Sequence, residues 1–342
     1  MIPLDSQTAL DWLRSAGWIS PNVPTVVIPL AWGVSNVVLR VEPAGQPHFV
    51  LKQSREQLRT KDPWFSRLDR IWREAEALRT LQPLLPVGRI PRVLREDRDN
   101  YLFTMEAAPA QHTVWKQALL EGVLDATVAE GLGNDLSRLH TQTANQPKLC
   151  APFADRQVFV ELRVDPFYRR VLQAAPEVRQ PLEQMLAQMF ATQVCLVHGD
   201  FSPKNVLLTD HGVVLVDFET VHWGDPAFDL GFFLSHLLLK TVLHWDRFEE
   251  AAELSRQFWS GYLAGLNEGR FDPVLSPATI VDRTIPHLAG CMWARIDGTS
   301  KIDYLPEPGQ QQGVRDFCRD LFLNPPGDWG GVLNRLKVGK FG

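Results

Sequence analysis

Asp200, Asn205 and Asp217 are three oxygen-bearing side chains set into one short stretch of a 342-residue chain. The run CLVHGDFSPKNVLL (residues 195–208) holds the first two, five positions apart, between apolar segments, and GVVLVDFE delivers the third immediately afterwards. Carboxylate and amide oxygens are hard ligands. They suit Mg²⁺, which takes a few protein oxygens and completes its shell with phosphate and water. Two aspartates brought close together would repel without a cation between them. A lone Asp/Asn loop also makes a capped, solvated turn. The full spacing, H-G-D-x-x-x-x-N followed by a strand and D-F, is far more restrictive and points to one site.

Short strands must position these groups. LVHGD and NVLL each suit a strand, with FSPK as the loop between them, because Pro203 cannot serve a central ladder. VVLV then pairs back as a hairpin and carries Asp217. A cation is available in the first third of the chain, where FVLK ends a strand at Lys52. A lysine there is either an edge residue or, if buried, in need of a partner. The helical segment after it offers Glu74 and Glu76. At ~100° per residue, Ile71, Ala75, Leu78 and Leu81 share one face. Glu74 falls within that stripe and Glu76 points away, so Glu74 is the expected partner of Lys52.

The wider chain divides into two patterns. TVVIPL, NVVLRVE, HFVLKQ, RVLRE and YLFTME read as five strands around one helix, SRLDRIWREAEALRTLQ, with a hairpin turn at DRDN. This predicts a small, largely antiparallel unit over residues 1–106. Helical periodicity dominates residues 107–342, in VAEGLGNDLSRLHTQ, QPLEQMLAQMF, DLGFFLSHLLLK and AAELSRQFWSGYLAGL. PEPGQQQG and NPPGDWG read as breaks near the C-terminal end. The fold class expected is α+β.

Composition excludes several functions. The formal net charge is −5 and no basic run is interleaved with aromatics, so no nucleic-acid partner is expected. Cys150, Cys195, Cys291 and Cys318 lie far apart without metal-binding or disulfide spacing, which suits reduced thiols in a cytoplasmic protein. GFFLSHLLLKTVL is short, carries His236 and Lys240, and reads as a core helix, so no membrane partner is expected. The first residues lack the basic start and apolar core of a signal peptide. Trp223, Trp259 and Trp293 read as packing residues, with Trp223 the best placed for a ligand.

HGDFSPKNVLL, VVLVDFE and GDPAFDLG together resemble the aminoglycoside phosphotransferase and choline kinase superfamily, relatives of the protein kinases. The resemblance covers most of the chain and is strongest at residues 195–231. It implies a protein-kinase-like two-lobed fold, with residues 1–106 as a nucleotide-binding lobe and 107–342 as a catalytic and acceptor-binding lobe. It implies that Asp200 is the catalytic base, that Asn205 and Asp217 hold Mg²⁺, and that Lys52, paired with Glu74, holds the phosphates of ATP or GTP. PLAWGVSNVVLRVE stands where the family has its nucleotide loop, with Gly33, Ser35 and Asn36 as the groups that would cover phosphate; an ordinary hairpin turn is the other reading. The backbone of Glu106 to Ala108 is where adenine would bind. His198 would brace the loop, Lys204 would touch phosphate or solvent, and Asp229 would cap its helix or tie down the catalytic loop. Glu219 replaces the glycine that protein kinases carry after D-F.

The activity implied is Mg²⁺-dependent transfer of a γ-phosphoryl group to a hydroxyl of a small molecule. An inactive nucleotide-binding pseudokinase and a protein kinase are the alternatives. The first is countered by the intact set of five residues, the second by the missing glycine-rich loop. The segment RIDGTSKIDYLPEP mixes Asp297, Asp303 and Glu307 with Arg295 and Lys301, and leaves the acceptor open among aminoglycosides, sugars, amino alcohols and nucleoside-derived alcohols.

Overall fold

A computed structural model describes residues 1–30, 36–57, 67–144, 146–267, 273–339 and 341. The chain forms two compact units, one of residues 1–112 and 207–220, the other of residues 113–206 and 221–342.

The first unit is built on a five-stranded antiparallel sheet of order β1-β2-β3-β5-β4. Its strands are β1 (Thr25–Pro29), β2 (Asn36–Pro43), β3 (Phe49–Ser54), β4 (Val93–Asp97) and β5 (Leu102–Glu106). β3 lies centrally, and its register sets Lys52 opposite Val38 on β2 and Phe103 on β5. A lysine in that position is flanked by strands on both sides and buried, 4% exposed. Helix α2 (Arg70–Leu81) buries Ile71, Glu74, Ala75, Leu78 and Leu81 and leaves Glu76 exposed. The apolar stripe therefore carries one carboxylate into the interior, as helical geometry requires.

A further helix, α1 (Ser6–Ser15), stands outside the strand-and-one-helix pattern read from the sequence. Asp5 caps it: its carboxylate accepts from the Thr8 N–H at 2.8 Å, and Thr8 Oγ1 accepts from the Asp5 N–H at 2.7 Å. This reciprocal pairing is a capping box. Ala9 and Leu13 of α1 join Val37, Leu39, Val41, Leu51 and Leu102 of the sheet in one apolar cluster. The hairpin Val206–Thr209 and Gly212–Leu215 carries the chain back to this unit and leads to Asp217.

The second unit is helical around the short strand pair Cys195–Val197 and His222–Gly224. Helix Pro226–Leu243 is its axis. It is 18 residues long, longer than the apolar run suggested and long enough to cross a membrane, yet 94% of it is buried, which makes it a core helix. Helix Pro277–Asp297 packs beside it; Pro286 and Gly290 within it obscured its periodicity. PEPGQQQG is partly a helix start rather than a break: Pro308 occupies the first turn of Pro308–Leu323, where a missing N–H is tolerated. Trp223, Trp259 and Trp293 are buried, and Trp223 donates from Nε1 to the Gln193 carbonyl at 2.9 Å. All four cysteines are free thiols.

Helices Ala126–Thr143 and Phe248–Asn267 approach closely at glycines. A Cβ on Gly133 would lie 2.2 Å from the Phe258 carbonyl oxygen, and one on Gly261 would lie 2.4 Å from that of Glu130. Gly131, two positions along the same helix, has nothing within 4 Å of such an atom. Gly133→Ala is expected to cost about 1–3 kcal/mol through overpacking, whereas Gly131→Ala should stabilise by up to ~1 kcal/mol through helix propensity. Thermal unfolding of the two variants side by side checks this.

Candidate active site

Two constellations form, one in each unit. In the first unit, Lys52 Nζ lies 2.8 Å from Glu74 Oε1 and 2.7 Å from Asp217 Oδ1. β3 brings the ammonium, α2 the glutamate, and the turn after Gly212–Leu215 the aspartate. Burial opposes the charge on Lys52, but Asp217, then Glu74 and Glu219, outweigh it and hold the ammonium well above its usual range. Burial pushes the Glu74 carboxyl up to about 7; Lys52 opposes that shift, while the Asp217 charge adds to it. One ammonium therefore serves two carboxylates.

Asp217 sits at φ +70°, a conformation that L-residues other than Asn and Asp rarely adopt. Its side chain keeps 24% of its surface exposed, against 1% for Glu74. Strain held at a half-open carboxylate is a mark of functional placement. The next residues lock the turn: Phe218 donates its N–H to Glu74 Oε1 at 3.3 Å, and Glu219 accepts from Asn36 Nδ2 at 2.8 Å and Arg70 Nε at 3.2 Å. Glu219 in place of a glycine is thus a buried anchor between the Asp217 turn, β2 and α2. Asn36 is drawn into this network and is 2% exposed. Gly33 and Ser35 lie outside the described residues.

The connector Glu106–Ala108 has part of its backbone already committed. Glu106 donates to the Arg92 carbonyl, Ala107 to that of His48, and the Ala108 carbonyl accepts from Arg40 Nη1. The Ala108 N–H has no hydrogen-bond partner among the described residues. The connector also walls a cavity of about 300 Å³ with Gly88, Arg89, Thr209 and His211, at the small end for a ligand pocket.

In the second unit Asp200 is 2% exposed and densely held. Arg163 Nη2 is 2.6 Å from Oδ1, Lys204 Nζ is 2.8 Å from Oδ2, and Asn205 Nδ2 donates to Oδ2 and to the Asp200 carbonyl, each at 2.9 Å. Both amide hydrogens of Asn205 thus go to Asp200, which leaves its oxygen as the atom to offer a cation. Asp200 donates its N–H to His198 Nδ1 at 3.2 Å, so that nitrogen carries no proton and His198 braces the loop. Lys204 pairs with Asp200 while its side chain stays solvent-exposed, at 46%.

Asp229 does not cap its helix. Asp225 does, accepting from the Ala227 N–H at 3.1 Å. Asp229, one turn in and fully buried, accepts the backbone N–H groups of His198 and Gly199 at 2.6 and 2.8 Å and faces His140 Nε2 at 3.2 Å. Burial would raise its carboxyl, but His140 and these donors hold it below the usual carboxylate range. Arg163 escaped sequence reading. VELRVDPFYR has no distinctive spacing, and only the wide helical turn Val160–Arg169 aims the arginine at the loop, where Nε also donates to the Gly199 carbonyl at 2.8 Å.

A family model described as "Phosphotransferase enzyme family" matches residues 26–272. The chain belongs to that family. Methylthioribose kinase of Exiguobacterium sibiricum is 24% identical over 275 residues, 71% of this chain and 68% of that enzyme. Among solved structures, amicoumacin kinase hAmiN in complex with AMP-PNP, Ca²⁺ and Ami aligns with a TM-score of 0.55 and 17% identity, covering 96% of this chain and 97% of that one. Macrolide 2'-phosphotransferase MphH from Brachybacterium faecium aligns with a TM-score of 0.51 and 18% identity, covering 95% and 100%. The fold is accordingly protein-kinase-like, and the chain is a small-molecule phosphotransferase, the enzyme class that the HGD and VDFE motifs implied.

The raised Glu74 carboxyl has a measurable sign. Its folded pKa, about 7, exceeds its ordinary 4.5, so the folded state binds the proton more tightly. Its contribution to stability is present at low pH and is lost as pH rises from about 4.5 through 7. Without ligand, the wild type should lose urea resistance relative to Glu74→Gln between pH 5 and 8. A constant difference between the two midpoints would contradict this.

Proposed function

We propose that the protein transfers the γ-phosphoryl group of ATP or GTP to a hydroxyl of a small molecule, with Mg²⁺. The observation that carries the reading is the buried Lys52–Glu74–Asp217 triad, because a strained, half-open aspartate on a lysine serves no packing need. Lys52 would bind the phosphates, with Glu74 fixing its ammonium in place. Asp217 and Asn205 would each offer an oxygen to Mg²⁺. The fit is chemical: a carboxylate with open surface and an amide whose hydrogens are already committed are hard donors, and few enough to leave room for phosphate and water. Bound there, the metal would neutralise phosphate charge.

Asp200 would orient the acceptor hydroxyl and take its proton. Arg163 and Asn205 fix the carboxylate, and Asp229 fixes the backbone that carries it. Lys204, half exposed, is the partner that an incoming hydroxyl can displace from Oδ2. Orientation and charge neutralisation account for the catalysis, since phosphoryl transfer asks little covalent chemistry of the protein. The Ala108 N–H would remain for the edge of the base.

Asp200→Asn should lower turnover at least a thousandfold while leaving nucleotide affinity within a few-fold of wild type, read by ADP release and by calorimetry. A mutant with near-native turnover would sink the assignment of the base. Asp217→Ala should remove the Mg²⁺ dependence of nucleotide binding; titrations of ATP that respond to Mg²⁺ as in the wild type would refute that role.

A further inference from the structure

Beside the Asp200 loop, the second unit gathers cations that, among the described residues, form no ion pair with a carboxylate. Lys240, on the axial helix, is 1% exposed, and its ammonium donates to Tyr304 Oη at 2.7 Å and lies 4.1 Å from the centre of that ring. Arg295, near the end of helix Pro277–Asp297, donates from Nη1 to Ser300 Oγ at 2.8 Å, and its guanidinium lies 5.9 Å from the Phe167 ring. Its Nε is buried without a hydrogen-bond partner. His236, one turn before Lys240, is 8% exposed and also keeps a buried, unpartnered Nε2. Lys116 completes the group. Among the described residues, none of Lys116, Lys240 and Arg295 has a carboxylate within 4.0 Å.

The acids nearby in sequence do not remedy this. Asp297 is bound by Arg315 through two contacts of 2.8 Å and by Trp293 Nε1 at 3.0 Å. Asp303 is exposed. Burial, then Arg295 and Lys116, press the Lys240 ammonium well below its usual range; burial and Arg295 lower Lys116 as well. Arg295 in turn is lowered by burial, which Tyr304 and the charge of Asp200 partly offset. Buried like charges without counter-charges are costly, and an arrangement of this kind persists where something from outside supplies the anion.

We propose that Lys116, Lys240 and Arg295 bind an anionic group, a phosphate or a carboxylate, on the acceptor whose hydroxyl meets Asp200. The proposal rests on the phosphotransfer reading and names its substrate class. His236 and Tyr304 add neutral hydrogen-bonding groups to the cationic ones. An acceptor of this class suits the site where a polycation such as an aminoglycoside would be repelled. Methylthioribose, which carries no charge, would leave the cations unanswered. Three cations favour a dianion.

The test keeps the two readings apart. Wild-type protein saturated with Mg·AMP-PNP is titrated calorimetrically with glycerol 3-phosphate, L-malate, glycerol, methylthioribose and kanamycin, and the same panel is assayed for ADP release with Mg·ATP. At least one of the two anions should bind saturably and at least tenfold more tightly than glycerol, methylthioribose and kanamycin. The preferred anion tells phosphate from carboxylate. Lys240→Met and Arg295→Met should each weaken that binding tenfold or more with nucleotide affinity unchanged. Lys240→Met should also raise the Tm of the ligand-free protein, because it removes an unanswered buried charge; a merely structural lysine would lower it. Absence of saturable anion binding, tighter binding or faster turnover of a neutral or cationic compound, or anion affinity unaltered in both variants overturns the inference and leaves phosphotransfer standing. Failure to bind Mg·ATP, or ADP release that survives Asp200→Asn, overturns the underlying reading instead.

Discussion

A lysine ammonium buried in the middle of a β-sheet is the constraint around which the first unit is arranged. Lys52 is flanked by β2 and β5, and its charge must be met within the protein. The sheet has no acid to offer at that point, so the answer comes from α2 and from the turn that ends in Asp217. Glu74 must then face inward from an otherwise apolar stripe, and the chain must return from residue 207 to deliver the aspartate. The positive φ of Asp217 and the buried Glu219 anchor follow from the same demand: the turn has to present one carboxylate to Lys52 while its neighbours are tied to α2 and β2. Two carboxylates on one ammonium leave an excess of negative charge, which adds to burial in raising the Glu74 carboxyl. A further cation at Asp217 would relieve it, and in this sense the triad is incomplete by itself.

The second unit solves a different problem, that of holding an irregular loop still. His198, Gly199 and Asp200 follow a three-residue strand, and backbone donors there would be unpaired without help. Asp229 accepts two of them from inside the core helix, and its own burial is compensated by His140, which in turn reaches Tyr262. The positive φ of Gly199 is the one place in this loop where glycine is required. Arg163 then clamps the loop from the opposite side, bonding the Gly199 carbonyl and the Asp200 carboxylate together.

The strands of the first unit were legible because each is short, β-branched and bounded by turn residues. The Lys52–Glu74 pairing was legible because a helix has only one inward face. Asp200, Asn205 and Asp217 stood out through spacing that a bland loop does not need. Other features lacked such signals. α1 has a cap spelled out by Asp5 and Thr8, but only two of its ten residues, Ala9 and Leu13, are buried, which leaves a thin apolar stripe. Pro286 hid a helix of 21 residues, since tertiary packing tolerated a residue that propensity forbids. Arg163 could not be found at all: its role depends on a wide helical turn that redirects one side chain, and nothing in the sequence around it marks that turn. The Asp229 position was ambiguous for a plainer reason, that two aspartates four residues apart could each have been the cap.

The two units treat buried cations in opposite ways, and the contrast bears on what kind of molecule each meets. Lys52 is balanced, even overbalanced, by acids of its own chain, so its burial is self-sufficient and a nucleotide would meet a preset group. Among the described residues, Lys240 has a phenol and no carboxylate in ion-pair contact. Relatives named for a neutral sugar and for antibiotics lie within one fold, so the fold does not select the acceptor. Under the proposed reading, selection would reside in side chains of the helical unit, where Arg295 and Lys240 bring positive charge near the Asp200 loop. A site that leaves cations unanswered in a low-dielectric interior discriminates twice: it gains from an anion, and it excludes a cation by repulsion that water does not screen.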